Sequence, residues 1–168
     1  MTATYEKIST QTVSGSSTST IDFSSIPSTY TDLVLISSAA LSASGFSLSV
    51  RVGTANSPDT GSNYSRTYLI GFASSTASGR DSNSTFVDLN GSSYTSGAPA
   101  VAITNFMNYS NTATNKTILS RSGGAADQIQ AEVFMYRNTS ALNFIRVYVQ
   151  SGYIYAGSTF TLYGIKAE

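Results

Sequence analysis

The chain has 168 residues, no cysteine and no histidine, with nine basic and nine acidic side chains and a formal net charge of zero. Charged residues make up 11% of it, less than half the roughly 25% of an ordinary domain. Disulfide frameworks, thiolate metal sites and histidine-based catalysis are therefore excluded, and little field remains to steer nucleic acid or anionic lipid toward the surface. Ser and Thr supply roughly a third of the residues, while hydrophobic residues reach 40% with 11 Tyr and 8 Phe. That apolar and aromatic content is too high for a disordered Ser/Thr linker. No run approaches the ~18 apolar residues of a membrane helix. The start, MTATYEKIST, has neither the basic region nor the apolar core of a signal peptide. Neither a nucleic-acid nor a membrane partner is expected.

Taken in chain order, period-two alternation dominates and helical periodicity is absent. Strands are predicted at Tyr5 to Val13 and Thr18 to Phe23, with a single helical turn over Ser24 to Tyr30. Asp32 to Ile36 is a continuous apolar strand expected to be covered on both faces. Phe46 to Val52 places Phe46, Leu48, Val50 and Val52 on one side and Ser47, Ser49 and Arg51 on the other. Ser65 to Phe72 follows, and then a Ser/Gly-rich segment, 73–84, reads as a long exposed loop. Thr85 to Leu89, Ala100 to Phe106 and Lys116 to Arg121 are weaker strands. Gln128 to Tyr136 groups Ile129, Ala131, Val133 and Met135 on one face. Arg137 to Ala141 looks like a hairpin loop into Phe144 to Val149, where Ile145, Val147 and Val149 share a face. The last strand, Ser158 to Lys166, should point Phe160 and Leu162 inward. About ten strands separated by Gly, Asn and Pro turns predict an antiparallel, jelly-roll-like β-sandwich with a single domain over 1–168.

The chemistry-bearing residues are sparse. No serine has a histidine partner or a G-x-S-x-G elbow, and nothing in the spacing of Lys7, Lys116 or Lys166 suggests a lysine-activated serine. The acids are Glu6, Asp22, Asp32, Asp59, Asp81, Asp88, Asp127, Glu132 and Glu168, with no evident pair for glycoside hydrolysis. Asp22 and Asp32 read as turn caps, and Glu132 as a salt-bridge partner of Arg137 or Arg146. Asp81-Ser82-Asn83-Ser84-Thr85 and Asp88-Leu89-Asn90-Gly91 cluster oxygen ligands as a hard cation requires, but Asx turns have the same composition. No enzyme, metal or cofactor is expected. The tyrosines in or beside loops, Tyr64, Tyr68, Tyr94, Tyr109, Tyr153 and Tyr155, together with Tyr5, are the candidate binding residues. A subunit interface is the favoured reading and sugar stacking the alternative.

Four stretches in order resemble one known family: Thr4-Tyr5-Glu6-Lys7-Ile8, FSSIPSTYTDL from Phe23 to Leu33, Asn108-Tyr109-Ser110-Asn111-Thr112, and GSTFTLYGI from Gly157 to Ile165. The chain is similar to the short virion proteins of tailed phages, cyanophages among them. The resemblance spans nearly the whole chain and carries no catalytic residues. It implies a virion structural protein, made in the host cytoplasm and released by lysis. One compact domain without a shaft leans toward a capsid decoration (cement) protein on the head surface. By analogy with small head-decoration proteins it would be a homotrimer bound between major capsid subunits. The alternative is a tail or head fibre module recognising a host glycan. Attachment is expected through Met1 to Glu6, the 73–84 loop and the tyrosine-bearing loops.

Overall fold

A computed structural model describes residues 4–44, 46–89, 95–124 and 128–166. Those residues form twelve antiparallel strands and no helix, an all-β sandwich with more strands than the alternation suggested. In chain order they are β1 (Tyr5–Thr12), β2 (Thr20–Phe23), β3 (Asp32–Ala40), β4 (Leu48–Gly53), β5 (Tyr64–Phe72) and β6 (Ser75–Ser84). There follow β7 (Val87–Asp88), β8 (Pro99–Met107), β9 (Lys116–Gly123), β10 (Gln128–Tyr136), β11 (Phe144–Val149) and β12 (Thr159–Ile165).

Two sheets of unequal width face each other. The large one runs β1-β12-β3-β8-β9-β10-β5-β6 and the small one β2-β11-β4-β7. The chain changes sheet at every connection except the β5–β6 hairpin and the β8–β9–β10 meander. With the meander counted as one unit and β1 and β12 set aside, the order is that of a jelly roll. The core lies between the sheets. Phe23, Leu48, Val50, Val52, Ile145 and Val147 of the small sheet meet Leu33, Leu35, Phe106, Ile118, Phe134, Phe160 and Leu162 of the large one. Each is an alternate residue of its strand, so period two places the core here as expected.

Four expectations are corrected. Segment 73–84 is not a loop: β6 pairs with β5 from Phe72↔Ser75 to Tyr64↔Ser84, turning through Ala73 at φ 47. Ser and Thr suit an exposed edge strand as well as a loop, so composition alone misleads. The stretch from Arg137 to Ala141 is not a hairpin loop, because β10 belongs to the large sheet and β11 to the small one. Segment 24–30 forms no helical turn; Ile26 N–H donates to the Asn143 carbonyl at 3.0 Å instead. The outer side of β3 is covered only in part, with Val34 buried and Ile36 exposed.

Lys116 shows how the loops at one end are tied down. Its side chain is buried, and Nζ donates to the carbonyls of Asn111 at 2.5 Å, Thr114 at 3.0 Å and Thr139 at 2.9 Å. Burial holds its pKa below that of a free lysine. One ammonium thus satisfies carbonyls from two loops. Replacing it with an uncharged side chain of similar length would leave those carbonyls bare. Lys116→Met is expected to lose about 3 kcal/mol in urea unfolding; an unchanged midpoint would show that water takes over the three carbonyls.

Candidate functional site

Strand β10 carries the decisive local feature. Its buried positions are Gln128, Gln130, Glu132, Phe134 and Tyr136, and its exposed ones are Ile129, Ala131, Val133 and Met135. The aliphatic face found by alternation therefore points away from the core, and the polar and aromatic face points into it. Two features of the structure follow, one behind the sheet and one in front.

Behind the sheet lies a polar cluster around Arg66. Arg66 Nε donates to Asp81 on β6 at 2.5 Å, and Nη1 donates to Asp88 on β7 at 2.6 Å and to Glu132 on β10 at 3.3 Å. Ser47 Oγ donates to Asp88 at 2.6 Å. Gln130 Nε2 donates to Glu132, and Gln128 Nε2 donates to Gln130 at 3.0 Å. Arg66 also lies over the Tyr68 ring, 4.7 Å from its centroid. Glu132 is thus paired with Arg66, not with Arg137 or Arg146. Arg146 is held bidentately by Asp22 at 2.7 and 2.6 Å, while Arg137 donates to the Ser62 carbonyl and Asn83. Asp22 is therefore an ion-pair partner across β2 and β11, and Asp32 accepts Asn108 N–H at 2.6 Å.

Burial pushes the Glu132 carboxyl up to about 8, and Arg66 offsets only part of that shift. The oxygen-rich Asp81 and Asp88 segments converge on this guanidinium, which fills the place a cation would take. Among the described residues no group of three or more acids is placed to hold a metal. Asn90 to Tyr94 lies outside the described residues.

In front, the outer face of the large sheet carries a band of apolar side chains along β8, β10 and β5. Cross-strand pairing sets its rows. One row is Val101, Gly123, Ile129, Gly71 and Thr76, and the next is Ile103, Arg121, Ala131, Leu69 and Ser78. A third holds Leu119, Val133 and Thr67, and a fourth holds Met107, Thr117 and Met135. The small residues Gly123, Ala131 and Gly71 make a floor between taller neighbours, giving a groove of about 740 Å³. Gly123 is required there, because a Cβ would lie 2.5 Å from the Gln128 carbonyl oxygen. Ile129 is 71% exposed, Leu69 59% and Val101 54%, values far from those of core aliphatics. Ile36, Ile103, Met107, Val133 and Met135 are exposed as well.

The candidate tyrosines divide. Tyr64 and Tyr109 are fully buried, so neither offers a side-chain surface. Tyr64 stacks on Tyr136 with ring centroids 4.9 Å apart, and its hydroxyl donates to the Val52 carbonyl and accepts Val52 N–H. Tyr109 donates its hydroxyl to the Pro27 carbonyl. In both cases a phenol buries its ring because the hydroxyl finds a backbone partner. Tyr68 is half-buried under Arg66. Tyr153 is exposed and meets the half-buried Tyr155 edge-on at 5.3 Å. Tyr5 is exposed and packs edge-on against Tyr163 on β12. Tyr94 and Met1 to Ala3 lie outside the described residues. The residues that sequence reasoning missed are the exposed aliphatics of β5, β8 and β10. Their grouping was visible, but not their direction.

The pKa of Glu132 is higher folded than unfolded, so its contribution to stability is complete below about pH 4.5 and is lost as pH rises through about 8. Glu132→Gln should flatten that decline, gaining on the order of 2 kcal/mol over the parent at pH 9 relative to pH 5. Thermal unfolding across that range checks it; parallel profiles would contradict it. Comparisons with protein-family models, curated proteins and solved structures find no match to this chain.

Proposed function

We propose that this chain is a non-enzymatic structural protein of a tailed-phage particle, acting as a decoration protein that stabilises the assembled head by binding between major capsid subunits. The observation that carries the reading is the broad aliphatic outer face of the large sheet, with Leu69, Val101, Ile129 and Val133 exposed. A chain that places its aliphatics outside and its glutamines inside on one strand is built for assembly. The likeness of four stretches to short virion proteins, together with jelly-roll topology, supports the particle assignment. Zero net charge suits close packing of many copies. Binding the assembled lattice, and not free subunits, stabilises the lattice by mass action, and repetition over a symmetric shell adds avidity.

One observation favours a second reading. The Tyr153–Tyr155 pair is set in a loop region with one ring exposed, and it offers a sugar a stacking platform. A fibre module recognising a host glycan would use it.

Copy number separates the two. Quantitative mass spectrometry of purified particles should find hundreds of copies per head, and heads stripped of the protein should disrupt at lower temperature. A dozen copies or fewer, with binding of the isolated protein on a glycan array, would replace the decoration reading with the fibre one.

A further inference from the structure

Resting on the decoration reading, we infer that the partner surface on the head is acidic: it presents aliphatic side chains flanked by carboxylates that meet Lys7, Arg80 and Arg121 on the outer face of the large sheet.

The chain has nine basic side chains, and six of them are engaged within one copy. Arg66, Arg146 and Lys166 are in ion pairs. Lys116, Arg137 and Arg51 donate to backbone carbonyls. Lys7, Arg80 and Arg121 are exposed and have neither an ion pair nor a hydrogen-bond partner among the described residues. All three lie on the same face. One cross-strand row begins at Lys7 on β1, passes Val34, Leu119 and Val133, and ends at Arg80 on β6. Arg121 stands one row along, between Ile103 and Ala131. Among the described residues the one acid on the outer side of these strands is Asp32, whose carboxylate accepts Asn108 N–H at 2.6 Å. The chain as a whole is neutral, so this face carries a local excess of positive charge and the rest of the molecule the matching excess of acids.

Strand spacing puts Arg121 ~19 Å from Lys7 and ~14 Å from Arg80 across the sheet. Two cations therefore stand on the polar edge strands β1 and β6, and the third stands within the aliphatic band of β8, β10 and β5. A polar rim around an apolar centre is the layout of a protein interface. A partner that covers the band takes water from these cations, and a charge buried without a counter-charge is strongly unfavourable. The covering surface must then bring carboxylates of its own. Arg121 depends on this most, because its stem lies among aliphatic neighbours and its guanidinium is closed in with them. A nucleic-acid duplex carries one charge per ~1.7 Å of its axis, which three widely spaced cations do not match, and it offers nothing to the aliphatics between them. Anionic lipid is held by clusters of roughly four to eight basic residues, denser than the set on this face.

Binding of the labelled full chain to purified heads stripped of it provides the test. Wild-type affinity should fall roughly tenfold between about 50 and 500 mM salt. Arg121→Gln should weaken binding roughly tenfold, and Arg80→Gln roughly threefold with a deficit that shrinks as salt rises. Thr20→Glu lowers the net charge by the same single unit on the outer side of the small sheet, and it should bind as the wild type does. If Arg121→Gln does not unfold cooperatively, Arg80→Gln, on an exposed edge strand, carries the test. Wild-type binding that ignores both salt and the arginine substitutions would overturn the acidic partner and leave the decoration reading standing. Equal weakening by Thr20→Glu would also overturn it, since net charge alone would then be at work. Tighter binding to phosphatidylcholine vesicles containing phosphatidylserine than to stripped heads would replace the acidic protein surface with a lipid one. Absence of any binding to stripped heads would overturn the acidic partner and the decoration reading together.

Discussion

Everything in this fold depends on closing a sandwich whose two sheets differ twofold in width. Eight strands face four, and where β5, β6 and β10 meet the small sheet's edge strand β7 the interior is polar. Arg66 sits at that junction. It rises from β5 and holds Asp81 on β6, Asp88 on the small sheet's edge strand β7, and Glu132 on β10. One guanidinium therefore fixes four strands and both sheets. Its planar fork suits carboxylates on several sides in a way that a lysine's point charge does not. The cost is a carboxyl at Glu132 held where water cannot reach it, with a pKa pushed up to about 8. Breaking such a buried pair from one side is far more damaging than never having had it.

The clamp determines what β10 looks like. Because Glu132 must face Arg66, residues at even positions of β10 point inward and those at odd positions point out. Gln128 and Gln130 extend the hydrogen-bonded row along the inner face. The aliphatics at 129, 131, 133 and 135 are then left on the outer face by pleat geometry alone. Beside them lie Leu69 of β5 and, across β9, Val101 and Ile103 of β8. The polar interior at this end and the apolar exterior are two sides of one register.

That register explains what can and cannot be read from the chain. Alternation identifies the strands and groups their residues correctly, as at Leu48, Val50 and Val52 or Phe160 and Leu162, all of which are buried. Period two groups residues without saying which group faces the core, so β10 gives no warning that its aliphatic side is the outer one. Strand β6 is hidden because Ser, Thr and Gly serve an edge strand and a loop equally well. Arg137 to Ala141 looks like a hairpin loop because short polar links also join strands in different sheets. Tyr64 and Tyr109 look like surface residues because tyrosine is amphipathic; the Val52 and Pro27 carbonyls that let them be buried lie 12 and 82 residues away along the chain.

The central proposal is that the outer face of the large sheet is the surface by which the protein binds the head. Met107 and Met135 report on it directly, since both lie on that face and are exposed in the single chain. Peroxide converts accessible methionine to the sulfoxide. Peptide mass mapping after mild oxidation should find Met107 and Met135 protected on intact heads and reactive in the protein stripped from them. Oxidation of both methionines on intact heads, at the rate of an exposed methionine in a short peptide, would contradict the account.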